Sequence, residues 1–151
     1  MPSTRMSRPA IAAFALCLLL TSGSAVESAP AVVKGAGILE HAIGKLALAS
    51  MALQREGKFD EFLKLADREY NEHYAALSDD RKKRLAATMK QAALPAEKFR
   101  DNIRTLGELT IDGTHATLTT KETVDVGGGV KTSSGLEMRF SLEGGTWKVA
   151  P

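Results

Sequence analysis

Residues 136–149 read Leu136-Glu137-Met138-Arg139-Phe140-Ser141-Leu142-Glu143-Gly144-Gly145-Thr146-Trp147-Lys148-Val149, and their alternation decides the fold. Apolar side chains recur at every second position from Leu136 to Leu142, with Glu137, Arg139 and Ser141 between them. A period of two belongs to a strand that buries one face and wets the other. Gly144-Gly145 takes positive φ at no steric cost, so the chain is expected to turn there and return through Trp147 and Val149. Upstream, Leu109 and Ile111 lead into Asp112-Gly113, read as the turn positions of another hairpin. The strand after it sets Ala116 and Leu118 on one face, and His115, Thr117, Thr119, Lys121 and Thr123 on the other. The glycines at 127–129 lack the strand-loop-helix setting and the Lys-Ser/Thr pair of a phosphate loop, and they read as a flexible connection.

Before these strands the period is 3.6. Over residues 34–55 the apolar positions Ile38, Leu39, Ala42, Ile43, Leu46, Ala49, Met51 and Leu53 predict one amphipathic helix, closed by a left-handed cap at Gly57. A second helix is expected from Phe59, with Phe62, Leu63, Leu65 and Ala66 inward, continuing past Tyr70 and Tyr74 to Leu77. Ser78 reads as the N-cap of a third, with Asp79 and Asp80 on its positive end and Leu85, Met89, Ala92 and Ala93 as its buried stripe. Leu94-Pro95 ends that pattern, because proline disfavours helix in the residue before it. The expected fold class is therefore α+β: three N-terminal helices packed on the apolar face of a four-stranded antiparallel meander.

Residues 1–25 predict a cleaved export signal. Arg5 and Arg8 precede the apolar run 11–20 (IAAFALCLLL), and small residues follow it up to Ala25. That run falls short of the roughly 20 apolar residues a membrane helix needs, so no stable membrane span is expected. Cleavage after Ala25 or after Ala31 satisfies the small-residue rule, and either places the chain in the periplasm or outside the cell. Residues 26–33 are expected to be a loose N-terminus and 34–151 a single domain. The chain has 20 basic and 18 acidic residues; losing Arg5 and Arg8 leaves 18 of each. A neutral domain argues against nucleic acid as a partner. The one cysteine, Cys17, lies inside the apolar run, so the mature domain has neither a disulfide nor a cysteine metal site.

Three segments resemble the small exported bacterial domains of the nuclear-transport-factor-2-like superfamily, a cystatin-like α+β group with uncharacterised and lipoprotein-like branches. They are residues 47–63, where a long helix passes to a Gly57-Lys58-Phe59-Asp60 turn; residues 111–118, a Gly/Asp turn followed by an alternating strand; and residues 142–149, a closing hairpin with a Trp-Lys pair. The resemblance implies a cone of helices over a curved sheet. It also implies a range of roles, from isomerases and dehydratases to ligand carriers and non-catalytic partners, among which a shared fold does not choose. The pattern runs out at Pro151 directly after the fourth strand, so the cone is expected to close incompletely.

Enzymes of that superfamily resemble one another in setting an Asp or His acid/base inside the cone. Here the inward sheet positions are Leu109, Ile111, Ala116, Leu118, Leu136, Met138, Phe140, Leu142, Trp147 and Val149, none of them ionisable. His115 falls on the polar face, and His41 has no assigned role. Glu69 and His73, four residues apart, would share a helix face and form the acid/base of an alternative isomerase- or hydrolase-type pocket. Tyr70 and Tyr74 share a ridge and, with Phe59, Phe62 and Trp147, are placed at a pocket mouth. The expected ligand-binding set is Phe59, Tyr70, His73, Tyr74, Met138, Phe140 and Trp147, with no catalytic residue, metal site or cofactor motif. Arg81-Lys82-Lys83-Arg84 spreads around a helix and makes no patch. The preferred reading is an exported, non-catalytic domain that binds a small apolar ligand or an envelope protein. A homodimer through the polar sheet face is the expected form of self-association.

Overall fold

The computed structural model describes residues 29–125 and 131–151. The expected signal at 1–25 and the glycine connection at 127–129 lie outside the described residues. The order is β1 (Ala31–Lys34), α1 (Ala36–Glu40), α2 (Ala42–Glu56), α3 (Phe59–Leu65), α4 (Arg68–Ala75), α5 (Asp79–Ala92), α6 (Ala96–Leu106), β2 (Gly107–Asp112), β3 (His115–Asp125), β4 (Lys131–Glu143) and β5 (Thr146–Ala150). The five strands form one antiparallel sheet in chain order. The class is α+β as expected, with six helices in place of three and five strands in place of four among the described residues.

Each added element has a local cause. Residues 31–33, expected to be loose, pair with β2 as part of β1, placing Val33 opposite Leu109. The long first helix breaks at His41, whose backbone is extended and whose Nδ1 accepts the Ile43 amide at 3.2 Å, capping α2. His41 thus has a structural role that periodicity did not reveal. The expected second helix breaks at Ala66-Asp67, where the chain leaves the helix to pair with β5. Asp67 caps α4 by accepting the Tyr70 amide at 2.7 Å. Ser78 stands at the N-cap position of α5 without making a side-chain cap bond. Helix α6 lies where the apolar spacing predicts no helix: within a charged stretch it buries Phe99 and Ile103, four apart, and Pro95 stands at its N-cap.

The sheet follows its alternation. Leu109, Leu118 and Met138 lie abreast across β2, β3 and β4, and Ile111, Ala116, Phe140 and Val149 form the next row across β2 to β5. Leu109, Ala116, Leu118, Met138, Phe140 and Val149 are buried against Ile38, Ile43, Phe62, Phe99 and Ile103 from the helices. Ile111, Leu136, Leu142 and Trp147 are only partly covered. The first hairpin turns one residue later than expected. Asp112 pairs with His115, so Gly113 and Thr114 are the loop residues, and the positive φ at Gly113 alone fits a II′ turn. At Gly144-Gly145 both φ are positive, as an I′ turn requires.

The break at His41 brings α1 against the start of α2. A Cβ on Gly44 would stand 1.8 Å from the Ile38 carbonyl oxygen, which is backbone and cannot swing aside. Helix propensity alone favours alanine over glycine by about 1 kcal/mol. The clash outweighs it, so Gly44→Ala is expected to destabilise by about 2–3 kcal/mol. In α1, a Cβ on Gly37 meets only the Val33 Cγ1 at 3.2 Å, so Gly37→Ala should be near neutral. Denaturant unfolding of the two variants checks this, and equal midpoints would contradict it.

Candidate functional site

Strand β4 has thirteen residues and β5 has five, so β5 covers β4 only as far back as the Arg139–Ala150 pair. Beyond that pair, α2 and α5 stand over β4 without filling the space. The result is an open groove of about 370 Å³ lined by Met51 and Gln54 of α2, Phe62 of α3, Tyr70 of α4, Met89 of α5, and Leu136, Glu137, Met138, Arg139, Val149, Ala150 and Pro151 of the sheet end. Its walls are mostly apolar, and the volume lies within the roughly 300–1,000 Å³ of small-ligand sites. Three methionines converge here, unbranched side chains that fit irregular or changing surfaces.

Tyr70 sits where this groove meets a second depression. That one, of about 190 Å³, lies between α4 and α5 and is lined by Tyr70, His73, Tyr74, Leu77, Leu85 and Pro151. Three contacts hold Tyr70: its amide on Asp67, its ring edge-on to Phe62 at 5.5 Å, and its hydroxyl donating to Met89 Sδ at 3.4 Å. The hydroxyl and sulfur together tie α4 to α5 at the mouth. Burial raises the phenol above its usual value of 10.0, and the neighbouring Tyr74 adds to the rise. At the polar end, Glu137 Oε1 accepts from Arg139 Nε and Nη2, both at 3.2 Å, while Oε2 lies 3.7 Å from Lys121 Nζ. These are exposed pairs, and each contributes little to stability.

The expected site residues divide. Tyr70 and Met138 line the groove, and Tyr74 and His73 line the depression beside it. Phe59 is buried behind them, its ring 5.3 Å from Phe62 and 5.1 Å from Tyr74. Phe140 is buried in the core on the helix-covered face and lines neither depression. Trp147 pairs with Leu142 toward the far end of β5 and lines neither depression, so it does not belong to the mouth. Met51, Gln54, Met89, Leu136 and Arg139 complete the groove. Their signal in the sequence was the difference in length between the 131–143 and 146–150 strands, which leaves Leu136 and Met138 without a β5 neighbour.

Glu69 and His73 are exposed and face a separate open hollow of about 460 Å³ together with His115, Thr117 and Arg139. No hydrogen bond joins Glu69 to His73 among the described residues. The described residues contain no cluster of three or more His, Cys, Asp or Glu placed to hold a metal ion. No described helix is long and apolar enough to cross a membrane. In the basic run, Lys82 lies over the Tyr74 ring, 5.5 Å from its centroid, while Arg81, Lys83 and Arg84 are exposed, as a helical spread requires. Comparison with protein-family models, curated proteins and solved structures finds no match.

The Tyr70 shift has a definite sign. Folded Tyr70 holds its proton more tightly than the unfolded chain does. Its contribution to stability is therefore complete below about pH 10 and is lost as pH rises through the folded value. Tyr70→Phe is expected to remove the high-pH part of the tyrosinate absorbance titration and to flatten the decline of stability above pH 10. An unchanged titration in this variant would place the shift elsewhere.

Proposed function

We propose that this is an exported, non-catalytic binding domain that takes an apolar ligand or apolar segment of a partner in the groove between α2, α5 and the open end of β4. The observation that carries the proposal is the groove itself, with methionines from two helices and one strand around an uncovered stretch of sheet. The charged side chains in its lining, Glu137 and Arg139, pair with each other, so the wall formed by Met51, Met89, Leu136 and Met138 offers apolar area. Export rests on residues 1–25, whose charged start, short apolar run and small-residue end form a signal pattern. The architecture is read as a variant of the nuclear-transport-factor-2-like cone, supported by helices packed on one face of an antiparallel sheet and by an open end.

An isomerase- or hydrolase-type enzyme built on His73 and Glu69 requires the imidazole to enter a cavity beside Tyr70 or Trp147. His73 is exposed at the rim of a shallow depression, which favours the binding reading.

Laurate, titrated into the purified protein by calorimetry, is the direct probe. Met89→Lys and Leu136→Lys place a charge on half-buried groove walls and are expected to weaken laurate binding at least tenfold, about 1.4 kcal/mol. Ala87→Lys, on an exposed position of α5, should leave binding unchanged. Equal affinity in all three variants would remove the groove as the site.

A further inference from the structure

The groove reading leaves the chemistry of the occupant open, and the main chain of β4 narrows it. The Leu142 amide donates to the Thr114 carbonyl at 2.8 Å, which turns the main-chain groups of Leu142 toward β3. In an antiparallel ladder these directions alternate, so Leu136, Met138 and Phe140 also address β3 while Gly135, Glu137, Arg139 and Ser141 address the β5 side. Arg139 and Ser141 meet Ala150 and Lys148 there. The N–H and C=O of Glu137 therefore point outward along the groove, and among the described residues neither has a partner on that side.

The other sheet edges are managed differently. The outer edge of β5 is covered by residues 66–67: Ala66 bridges to Val149 in parallel, and the Asp67 amide donates to the Val149 carbonyl at 2.8 Å. The far edge, β1, is only four residues long and carries Lys34 paired with Glu108. Short or covered edges are how folded proteins avoid unwanted strand addition. The fold leaves its open edge next to its methionine-lined groove, in line with β5.

An acyl chain would fill the groove but would leave these donors and acceptors unused. A peptide main chain matches them, because its N–H and C=O groups repeat with the same two-residue period. We propose that the occupant is an extended peptide that adds to β4 alongside Gly135–Glu137, continuing the line of β5. Alternate side chains of such a strand fall on opposite faces. Those on the helix side meet Met51, Met89, Leu136 and Met138 and are apolar. Those on the other side lie beside Glu137 and Arg139 and are polar. Main-chain bonds then supply register, and the groove selects the side chains. This inference rests on the groove reading and specifies its ligand.

The test compares three probes on the purified protein by calorimetry: a short blocked peptide of alternating threonine and leucine, the same peptide N-methylated at alternate amides, and laurate. The unmodified peptide is expected to bind, and N-methylation of the edge-facing amides to weaken it at least tenfold. Glu137→Pro removes one outward N–H at a position where proline is sterically tolerated. It should weaken the peptide at least tenfold relative to Glu137→Gln, which changes the same side chain but keeps the N–H, whereas Ala87→Lys, on an exposed position of α5, should affect neither probe. Peptide binding indifferent to both N-methylation and Glu137→Pro overturns strand addition. Laurate binding without peptide binding overturns this inference and leaves the groove reading standing. Failure of both probes removes both. Should circular dichroism show Glu137→Pro unfolded, the N-methylated peptide decides alone.

Discussion

One buried aspartate joins the helical layer to the sheet, and the geometry of the groove depends on it. Asp67 is 4% exposed, and both its carboxyl oxygens are used: Oδ1 accepts the Tyr70 amide and Oδ2 accepts the Ser141 hydroxyl, each at 2.7 Å. Its own amide extends β5 through Val149, and its carbonyl accepts from the amide and side chain of Asn71. The Asn71 side chain also reaches the Leu63 and Ala66 carbonyls, occupying the exposed end of α3. A buried polar group left unpaired costs about 1–3 kcal/mol, so a residue with every bond made restricts the chain to one arrangement. The consequence is a fixed angle for α4, which starts at this cap and carries Tyr70 to the mouth of the groove.

The groove then follows from a mismatch of lengths. Strand β4 continues eight residues back from the point where β5 stops covering it, and the helices bridge the gap only at their side-chain tips. Arg55 ties α2 to the end of α5 by donating to the Ala93 carbonyl at 2.9 Å, and the Leu94 amide donates to Met51 Sδ at 3.3 Å. These contacts hold the two helices together on one side of the groove. Tyr70 and Met89 join on the other. The space between them lies over Leu136 and Met138, where flexible sulfur-bearing side chains replace the tight interlock seen deeper at Phe62, Phe99 and Phe140.

Alternation made the three long strands and their apolar face legible residue by residue, because a one-step slip would have exposed every core side chain. The helical breaks were not legible. His41 and Asp67 cap new helices inside runs whose apolar spacing continues unbroken, so periodicity alone joined α1 to α2 and α3 to α4. Helix α6 buries only Phe99 and Ile103 in eleven residues, too sparse a stripe to stand out among its charges. Strand β1 is four residues of ordinary apolar sequence that acquire meaning only opposite β2. At the site, Tyr70 and Met138 were legible as aromatic ridge and inward sheet position. Trp147 was misplaced because its position along β5, away from the groove, depends on register. Met51 was read correctly as a buried stripe residue, whereas Met89 is only half-buried on a helix that buries no residue fully; that the two meet across a gap is a tertiary fact.

The central claim is that Asp67, by bonding Ser141 and capping α4, sets the wall of the groove. A double-mutant cycle over Asp67→Ala and Ser141→Ala, read in unfolding free energy and in laurate affinity, tests it most directly. The account predicts a favourable coupling of about 1 kcal/mol or more in stability and a loss of laurate affinity with Asp67→Ala. Additive stabilities, with laurate affinity unchanged by Asp67→Ala, would contradict it.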